Sequence, residues 1–110
     1  TIYGNGKQIR EWTYVKDTAG SIKHILENSK LNECYNISSN VELENINLVK
    51  KMCFMLDRDL NDSIEFVKDR LGHDVRYSIN NEKLQNLGFV NYSDMEKSLL
   101  ETIEYFKDDK

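Results

Sequence analysis

The chain has 110 residues, 39% of them hydrophobic, which is enough for one globular domain with a modest core. Its formal net charge is −4 and it contains no run of lysine and arginine, which argues against a nucleic-acid-binding surface. No apolar segment approaches the length that crosses a membrane, so we expect neither a membrane nor a nucleic-acid partner.

The first third of the chain predicts two strands with a helix between them. Residues 3–6 read as a glycine-bracketed turn, and residues 8–15 alternate with the β-branched and aromatic content of a strand. Asp17 is a suitable N-cap for the helix, and His24 should face solvent. The apolar positions that should face the core recur at helical spacing: Val15, Ala19, Ile22 and Leu26. Residues 33–37 predict the second short strand.

The middle of the chain predicts a helix followed by a strand. Asn45 is a good N-cap, and residues 64–67 alternate as a short strand. The side chains that should line the inner side of this helix are Ile46, Val49, Met52, Cys53 and Leu56.

Two further helices complete the chain. Asn80 should cap a short helix that Gly88 ends, since glycine suits the left-handed position after a helix. Ser93 and Glu96 have the spacing of a capping box that opens the last helix. Its inward positions should be Met95, Leu99, Leu100, Ile103 and Phe106.

The order strand, helix, strand, helix, strand, helix, helix predicts an α/β protein. Three short strands are too few for an independent doubly wound sheet, and the chain starts at Thr1 without an initiator methionine, so we expect a piece of a longer protein. Cys34 and Cys53 are too few and too far apart for a disulfide or zinc framework. We therefore expect buried, reduced cysteines and a cytoplasmic location.

The densest polar cluster occupies residues 69–77, directly after the predicted strand 64–67. It contains Asp69, Arg70, His73, Asp74, Arg76 and Tyr77. A guanidinium offers a planar fork of donors that suits phosphate, so this loop predicts a ligand site. A salt-bridged surface turn is the alternative, and the neighbouring arginines disfavour a metal ion.

Two sequence matches near the start of the chain lack the structural context of the motifs that they resemble. Tyr3 and Lys7 have the Tyr-x-x-x-Lys spacing of short-chain dehydrogenases, but the two glycines between them form a turn and not a helix. Gly4-x-Gly6 lacks the third glycine of a dinucleotide fingerprint and precedes a strand. We therefore expect no catalytic, cofactor-binding or metal-binding residue in this chain.

Three motifs in order carry a family resemblance. They are Gly4-x-Gly6-x-Gln8-Ile9-Arg10-x-Trp12-x-Tyr14-Val15-x-Asp17, Tyr35-Asn36-Ile37 and Asp69-Arg70-x-Gly72-His73-Asp74-x-Arg76-Tyr77. Together they resemble the C-terminal part of the dTDP-glucose 4,6-dehydratase family, which belongs to the extended short-chain dehydrogenases/reductases. The resemblance covers essentially the whole chain. Leu71 and Thr1 stand where the family usually has proline, which concerns loop rigidity and no ligand contact.

The resemblance implies that residues 1–110 are the substrate-binding portion of a Rossmann-type parent. It implies an upstream portion with NAD and the catalytic Tyr and Lys, a dTDP- or UDP-sugar substrate, and a homodimer. The implied nucleoside-diphosphate contacts are Tyr3, Arg10 and Asn36, with Asp69, Arg70 and His73 closing from the other side. Alone, the chain should be inactive. The alternatives are the same portion of a nucleotide-sugar epimerase or decarboxylase, or a non-catalytic interaction module.

Overall fold

The structure, a computed structural model, describes residues 1–90 and 92–108. These residues form short strands and helices, which confirms the predicted α/β class. In chain order the elements are β1 (Ile2–Tyr3), β2 (Ile9–Glu11), α1 (Val15–Asn28), β3 (Glu42–Glu44), α2 (Asn45–Met55), α3 (Leu60–Ser63), β4 (Phe66–Val67), α4 (Glu82–Asn86) and α5 (Met95–Asp108).

The strands pair in two separate two-stranded sheets. β1 and β4 are parallel, with Ile2 opposite Phe66, and β2 and β3 are antiparallel, with Arg10 opposite Leu43. β1 and β2 follow each other closely, whereas their partners lie far along the sequence. The N-terminal segment therefore joins the two sheets, and it brings the end of β4 close to the start of β2.

The strand predicted over residues 8–15 is shorter than expected, and the prediction for residues 33–37 is wrong. β2 ends at Glu11 because β3 offers only three partners. Residues 33–37 lie in no strand, and none of their backbone groups bonds another backbone group within residues 1–90 and 92–108. Alternating residues favour an extended chain, but a strand also needs a neighbour to bond.

Helix α1 differs from its prediction in its start and in its buried face. Tyr14 precedes the helix, so Asp17 lies in the first turn and not at the N-cap. The Asp17 carboxylate is buried and accepts hydrogen bonds from the backbone N–H of Ser93, at 2.9 Å, and from its hydroxyl, at 2.7 Å. The four apolar positions predicted to face the core are exposed: Val15, Ala19, Ile22 and Leu26. The helix thus packs through a polar side that includes the fully buried Ser21.

His24 is half-buried and not solvent-facing as predicted. Its Nε2 lies 2.9 Å from the backbone carbonyl of Leu87, and its ring lies 5.7 Å from that of Phe89. A carbonyl only accepts, so Nε2 carries a proton and donates. This bond ties α1 to the end of α4, where Gly88 adopts the predicted left-handed conformation, with φ of +98°.

The N-caps of α2 and α5 each lie one residue away from the predicted N-cap residue. Asn45 is the first residue of α2 and not its N-cap. At α5, the Asp94 carboxylate accepts from the backbone N–H of Lys97 at 3.0 Å, which is the N-cap interaction. The capping box is therefore wrong: Ser93 bonds Asp17, and Glu96 pairs with a lysine of α2.

The core of the described residues is small. Its buried hydrophobic side chains are Ile2, Ile46, Leu48, Cys53, Leu84, Phe89 and Ile103. Cys53 is buried as predicted, but Cys34 is exposed, and both are free thiols. Leu56, Leu100 and Phe106, which we expected to face inward, are exposed. Across residues 1–90 and 92–108 no helix has the length and apolar character needed to cross a bilayer.

Candidate functional site

The polar segment 69–77 leaves β4 and returns along β2. Ile9 forms a parallel bridge with Arg76: its N–H donates to the carbonyl of Val75 at 2.8 Å, and its own carbonyl accepts from the N–H of Tyr77 at 3.2 Å. Because Arg10 follows Ile9 in the strand, its side chain lies against the same segment. Backbone pairing thus unites two of the three sequence motifs.

The Arg10 guanidinium is enclosed by consecutive residues of this segment. One terminal nitrogen donates to the carbonyl of Ile9 at 2.7 Å and, more weakly, to that of Val75 at 3.4 Å. The other donates to the carbonyl of Asp74 at 3.0 Å and lies 3.4 Å from Nδ1 of His73. The ring of Tyr77 lies 4.4 Å below the guanidinium carbon. Both terminal nitrogens are therefore engaged by the protein.

The Arg10 contact distinguishes the two ring nitrogens of His73. Guanidinium nitrogens only donate, so Nδ1 of His73 acts as the acceptor in this contact. Nε2 is then the ring nitrogen that can donate an N–H to a bound group.

Arg70 lies in a different environment, over the ring of Tyr3. Its guanidinium carbon is 4.4 Å from the ring centroid, and the side chain is exposed. Within residues 1–90 and 92–108 no carboxylate or carbonyl accepts a hydrogen bond from its guanidinium. The planar fork of Arg70 is thus oriented by stacking and remains available to a ligand.

Asp69 is exposed, but its carboxylate is hydrogen-bonded within the protein and positions the backbone of Arg70. Its two carboxylate oxygens accept from the side-chain amide of Gln8 at 2.7 Å and from the N–H of Arg70 at 2.8 Å. The same Gln8 amide donates to the carbonyl of Tyr3 at 3.1 Å. Gly4 approaches closely: a Cβ there would lie 3.0 Å from the Asp69 carboxylate. Asp69 therefore shapes the site, and its oxygens are already bonded.

Gln8 and Tyr77 belong to this arrangement but were not among the predicted site residues. Gln8 is buried, at 7% exposure, and its side-chain oxygen has no partner among the described residues. A polar amide within a predicted strand was the available signal. Tyr77 was noted in the polar cluster, but its position beneath Arg10 depends on the pairing with β2.

Tyr77 and Arg76 each lie beside an acidic side chain. The Asp74 carboxylate raises the pKa of the Tyr77 phenol, and the positive charges of Arg10 and Arg70 act in the opposite direction. Arg76 pairs with Glu42 at 2.6 Å. Among the described residues, Arg70 is the one of these three arginines whose guanidinium fork has no acceptor.

Asn36 is not brought into contact with these side chains. It is exposed, and its amide donates to the carbonyl of Asn80 at 2.9 Å. Asn80 follows Tyr77 by three residues, so Asn36 lies at the far end of the same connection. The structure therefore places Arg10 with His73, and Arg70 with Tyr3 and Asp69, while Asn36 is joined to neither group except through the chain that continues from Tyr77.

Two cavities lie away from the six predicted site residues. A mainly apolar cavity of about 250 Å³ is lined by residues of α1, α2 and α5, including Leu48 and Leu99. A polar cavity of about 400 Å³ is lined by Arg76 and Asn80, among others. None of the six predicted site residues lines either cavity. Among the described residues, no three metal-binding side chains converge.

The residues around this segment include donors of the kind that an anion requires. They are the open guanidinium fork of Arg70, the guanidinium of Arg10 and the imidazole of His73. Charge-assisted hydrogen bonds of this kind are each worth about 1.5–3 kcal/mol.

Comparison with known proteins agrees with the family resemblance. Residues 1–102 match the family model described as GDP-mannose 4,6 dehydratase. The chain is 38% identical over 120 residues to dTDP-glucose 4,6-dehydratase of Escherichia coli, covering 99% of this chain and 33% of that protein. The chain spans about a third of the length of the curated relatives that it matches.

Solved structures give the same result. The dTDP-glucose 4,6-dehydratase of Bacillus anthracis in complex with NAD superimposes with a TM-score of 0.88 at 34% identity, over 98% of this chain and 34% of that one. The Streptomyces venezuelae enzyme DesIV, also with NAD bound, gives 0.90 at 30% identity with the same coverage. Nucleotide-sugar epimerases match at 20–24% identity, which shows a shared fold only.

Proposed function

The chain belongs to the family described as GDP-mannose 4,6 dehydratase, and from this premise we propose that it is the substrate-binding portion of an NAD-dependent nucleotide-sugar 4,6-dehydratase. In this proposal it binds the nucleoside diphosphate of a dTDP- or UDP-sugar. The observation that carries the proposal is the open fork of Arg70, held over Tyr3 in the same segment as His73, which contacts the enclosed Arg10. A diphosphate has the charge and the acceptors that these donors require.

The site residues are assigned roles from their contacts. Arg70 gives a forked contact to one phosphate, and His73 donates from Nε2. Arg10 contributes positive charge and its remaining N–H, because its terminal nitrogens hold the segment around Tyr77. Tyr3 supports Arg70 from beneath, and Asp69 fixes its backbone. Asn36 is assigned to the nucleoside end, away from the arginines.

The remainder of the enzyme is proposed to carry NAD and the catalytic groups. Gly4 and Gly6 lie between two short strands and not between a strand and a helix, so they do not form a dinucleotide-binding turn. NAD would supply the hydride acceptor for oxidation at C4 of the sugar and return the hydride to C6 after water is eliminated across C5 and C6. This chain would hold the nucleotide while that reaction proceeds elsewhere.

Two unpartnered features support a larger parent. The apolar side of α1 is exposed, including Leu26 at 79%, and the backbone of residues 33–37 bonds no other backbone group among the described residues. Both would be satisfied by packing against a further portion of the polypeptide. A homodimeric parent in the cytoplasm is part of the same proposal and rests on the family alone.

The proposal is tested by calorimetric titration of the complete protein that contains this chain. We expect dTDP or UDP to bind, and thymidine or uridine to bind at least tenfold more weakly, because the arginines recognise phosphate. Equal affinity for nucleoside and nucleoside diphosphate would contradict the assignment.

A separate assay tests the proposal that the catalytic groups lie outside this chain. The 110-residue chain, supplied with NAD and dTDP-glucose, should form no 4-keto-6-deoxy sugar. Product formed by this chain alone would show that catalytic groups lie within it.

A further inference from the structure

Tyr77 stacks on Arg10 without belonging to the core. Its side chain is 49% exposed, yet its ring centroid lies 4.4 Å from the guanidinium carbon of Arg10. An exposed aromatic ring beside a cation contributes little to burial, so its value lies in what it does to that cation.

The contacts around Arg10 divide into two kinds. Carbonyl oxygens of Ile9, Val75 and Asp74 bind the edges of the guanidinium. Guanidinium N–H groups lie in the plane of the group, so these bonds set the direction of the side chain without covering its two faces. The Tyr77 ring lies over one face, and this contact opposes a rotation that would lift the guanidinium out of the segment.

We propose that Tyr77 is a positioning residue that holds Arg10 in the plane from which its charge and its remaining N–H act on the bound diphosphate. The proposal rests on the proposed function for its ligand, but the orientation of Arg10 by Tyr77 is a property of the free protein. The stacking face of the ring is the active feature, so phenylalanine should replace tyrosine and an aliphatic residue should not.

The experiment compares Tyr77→Phe and Tyr77→Leu in the complete protein. Tyr105→Leu is the control, because Tyr105 is a similarly exposed tyrosine that lies on α5 outside the cluster. Affinity for dTDP and UDP is measured by calorimetry. Accessibility of the Arg10 guanidinium is measured without ligand, as the rate of its modification by phenylglyoxal, followed by peptide mass spectrometry. Thermal unfolding checks that each variant is folded.

We expect Tyr77→Leu to weaken diphosphate binding about three- to tenfold and to accelerate Arg10 modification at least threefold. Tyr77→Phe should stay within twofold of the wild type in both assays. If Tyr77→Leu behaves as Tyr105→Leu does, or if Tyr77→Phe is as impaired as Tyr77→Leu, the proposal is overturned.

The two failures can be told apart. If the wild type binds neither diphosphate, the proposed function fails, and the modification rates alone decide the role of Tyr77. A faster rate in Tyr77→Leu, restored in Tyr77→Phe, then supports its positioning of Arg10, and equal rates overturn it.

Discussion

Replacing Arg70 by alanine tests the site most directly, because the structure separates its role in binding from any role in folding. The side chain is exposed, and its described contact is the stack on Tyr3 at 4.4 Å. A cation–π contact at an exposed position is worth about 0.5–1 kcal/mol, so Arg70→Ala should reduce the free energy of unfolding by no more than that.

The effect on binding should be larger. A charge-assisted hydrogen bond contributes about 1.5–3 kcal/mol, and 1.36 kcal/mol corresponds to a tenfold change. Arg70→Ala should therefore raise the dissociation constant of the nucleoside diphosphate about 10- to 150-fold. Arg70→Lys should recover part of this loss, because lysine keeps the charge but cannot form the planar fork.

The assay is calorimetric titration with dTDP and UDP, paired with urea unfolding of each variant. Arg58→Ala serves as the control, since Arg58 is an exposed arginine outside the site and its removal changes the net charge equally. An Arg70→Ala variant whose affinity equals that of Arg58→Ala would refute the assignment. So would a loss of affinity that is matched by an equal loss of folding stability.

Three further predictions concern the surroundings of the site. Gly4→Ala should weaken diphosphate binding in the same titration, because its Cβ would lie 3.0 Å from the Asp69 carboxylate. Gly88→Ala is the control: Gly88 also has a positive φ, but a Cβ there would have no contact under 3.7 Å, so this variant should strain the backbone and leave the affinity for diphosphate unchanged. Asp17→Asn should lower the free energy of unfolding in urea by about 1.5–3 kcal/mol, because a buried carboxylate that accepts two hydrogen bonds at the start of α5 is lost; an unchanged value would show that these bonds contribute nothing. The Ser78 hydroxyl and the Arg76 guanidinium lower the pKa of Glu42 from its usual 4.5, so the wild type should have a higher melting temperature than Glu42→Gln above pH 4.5. This difference should vanish as the pH falls through the lowered pKa, and a difference that persists at pH 2 would contradict the prediction.

The sequence indicated which segment forms the candidate site, but it did not indicate the contacts that the segment makes. The density of charged residues in 69–77 marked the segment, and the resemblance singled out Arg10 far upstream. Which charges stay free was not predictable, because it depends on pairing between distant residues. Arg76 pairs with Glu42, and Arg10 is enclosed by backbone carbonyls, so among the residues that the structure describes Arg70 alone of the three keeps an open fork.

The errors in the predicted fold also arise from contacts between distant residues. The apolar spacing in α1 correctly indicated a helix with an apolar side, but amphipathicity does not reveal what covers that side. Asp17 has the chemistry of an N-cap, and the structure uses it as a buried acceptor for Ser93, 76 residues later. Local patterns describe what a segment can form, and long-range partners decide which of its groups are used.

The proposed site spans both sheets, and this has a thermodynamic consequence. Arg10 belongs to the β2–β3 sheet, whereas Arg70 follows β4 of the β1–β4 sheet. A diphosphate held by both arginines can bind only while the two sheets are docked, so its binding free energy adds to that of folding. At a hundredfold excess over the dissociation constant this addition is about 2.7 kcal/mol. For a portion with so few buried side chains, bound nucleotide sugar would stabilise the folded state, and the lifetime of that state would depend on the concentration of nucleotide sugar.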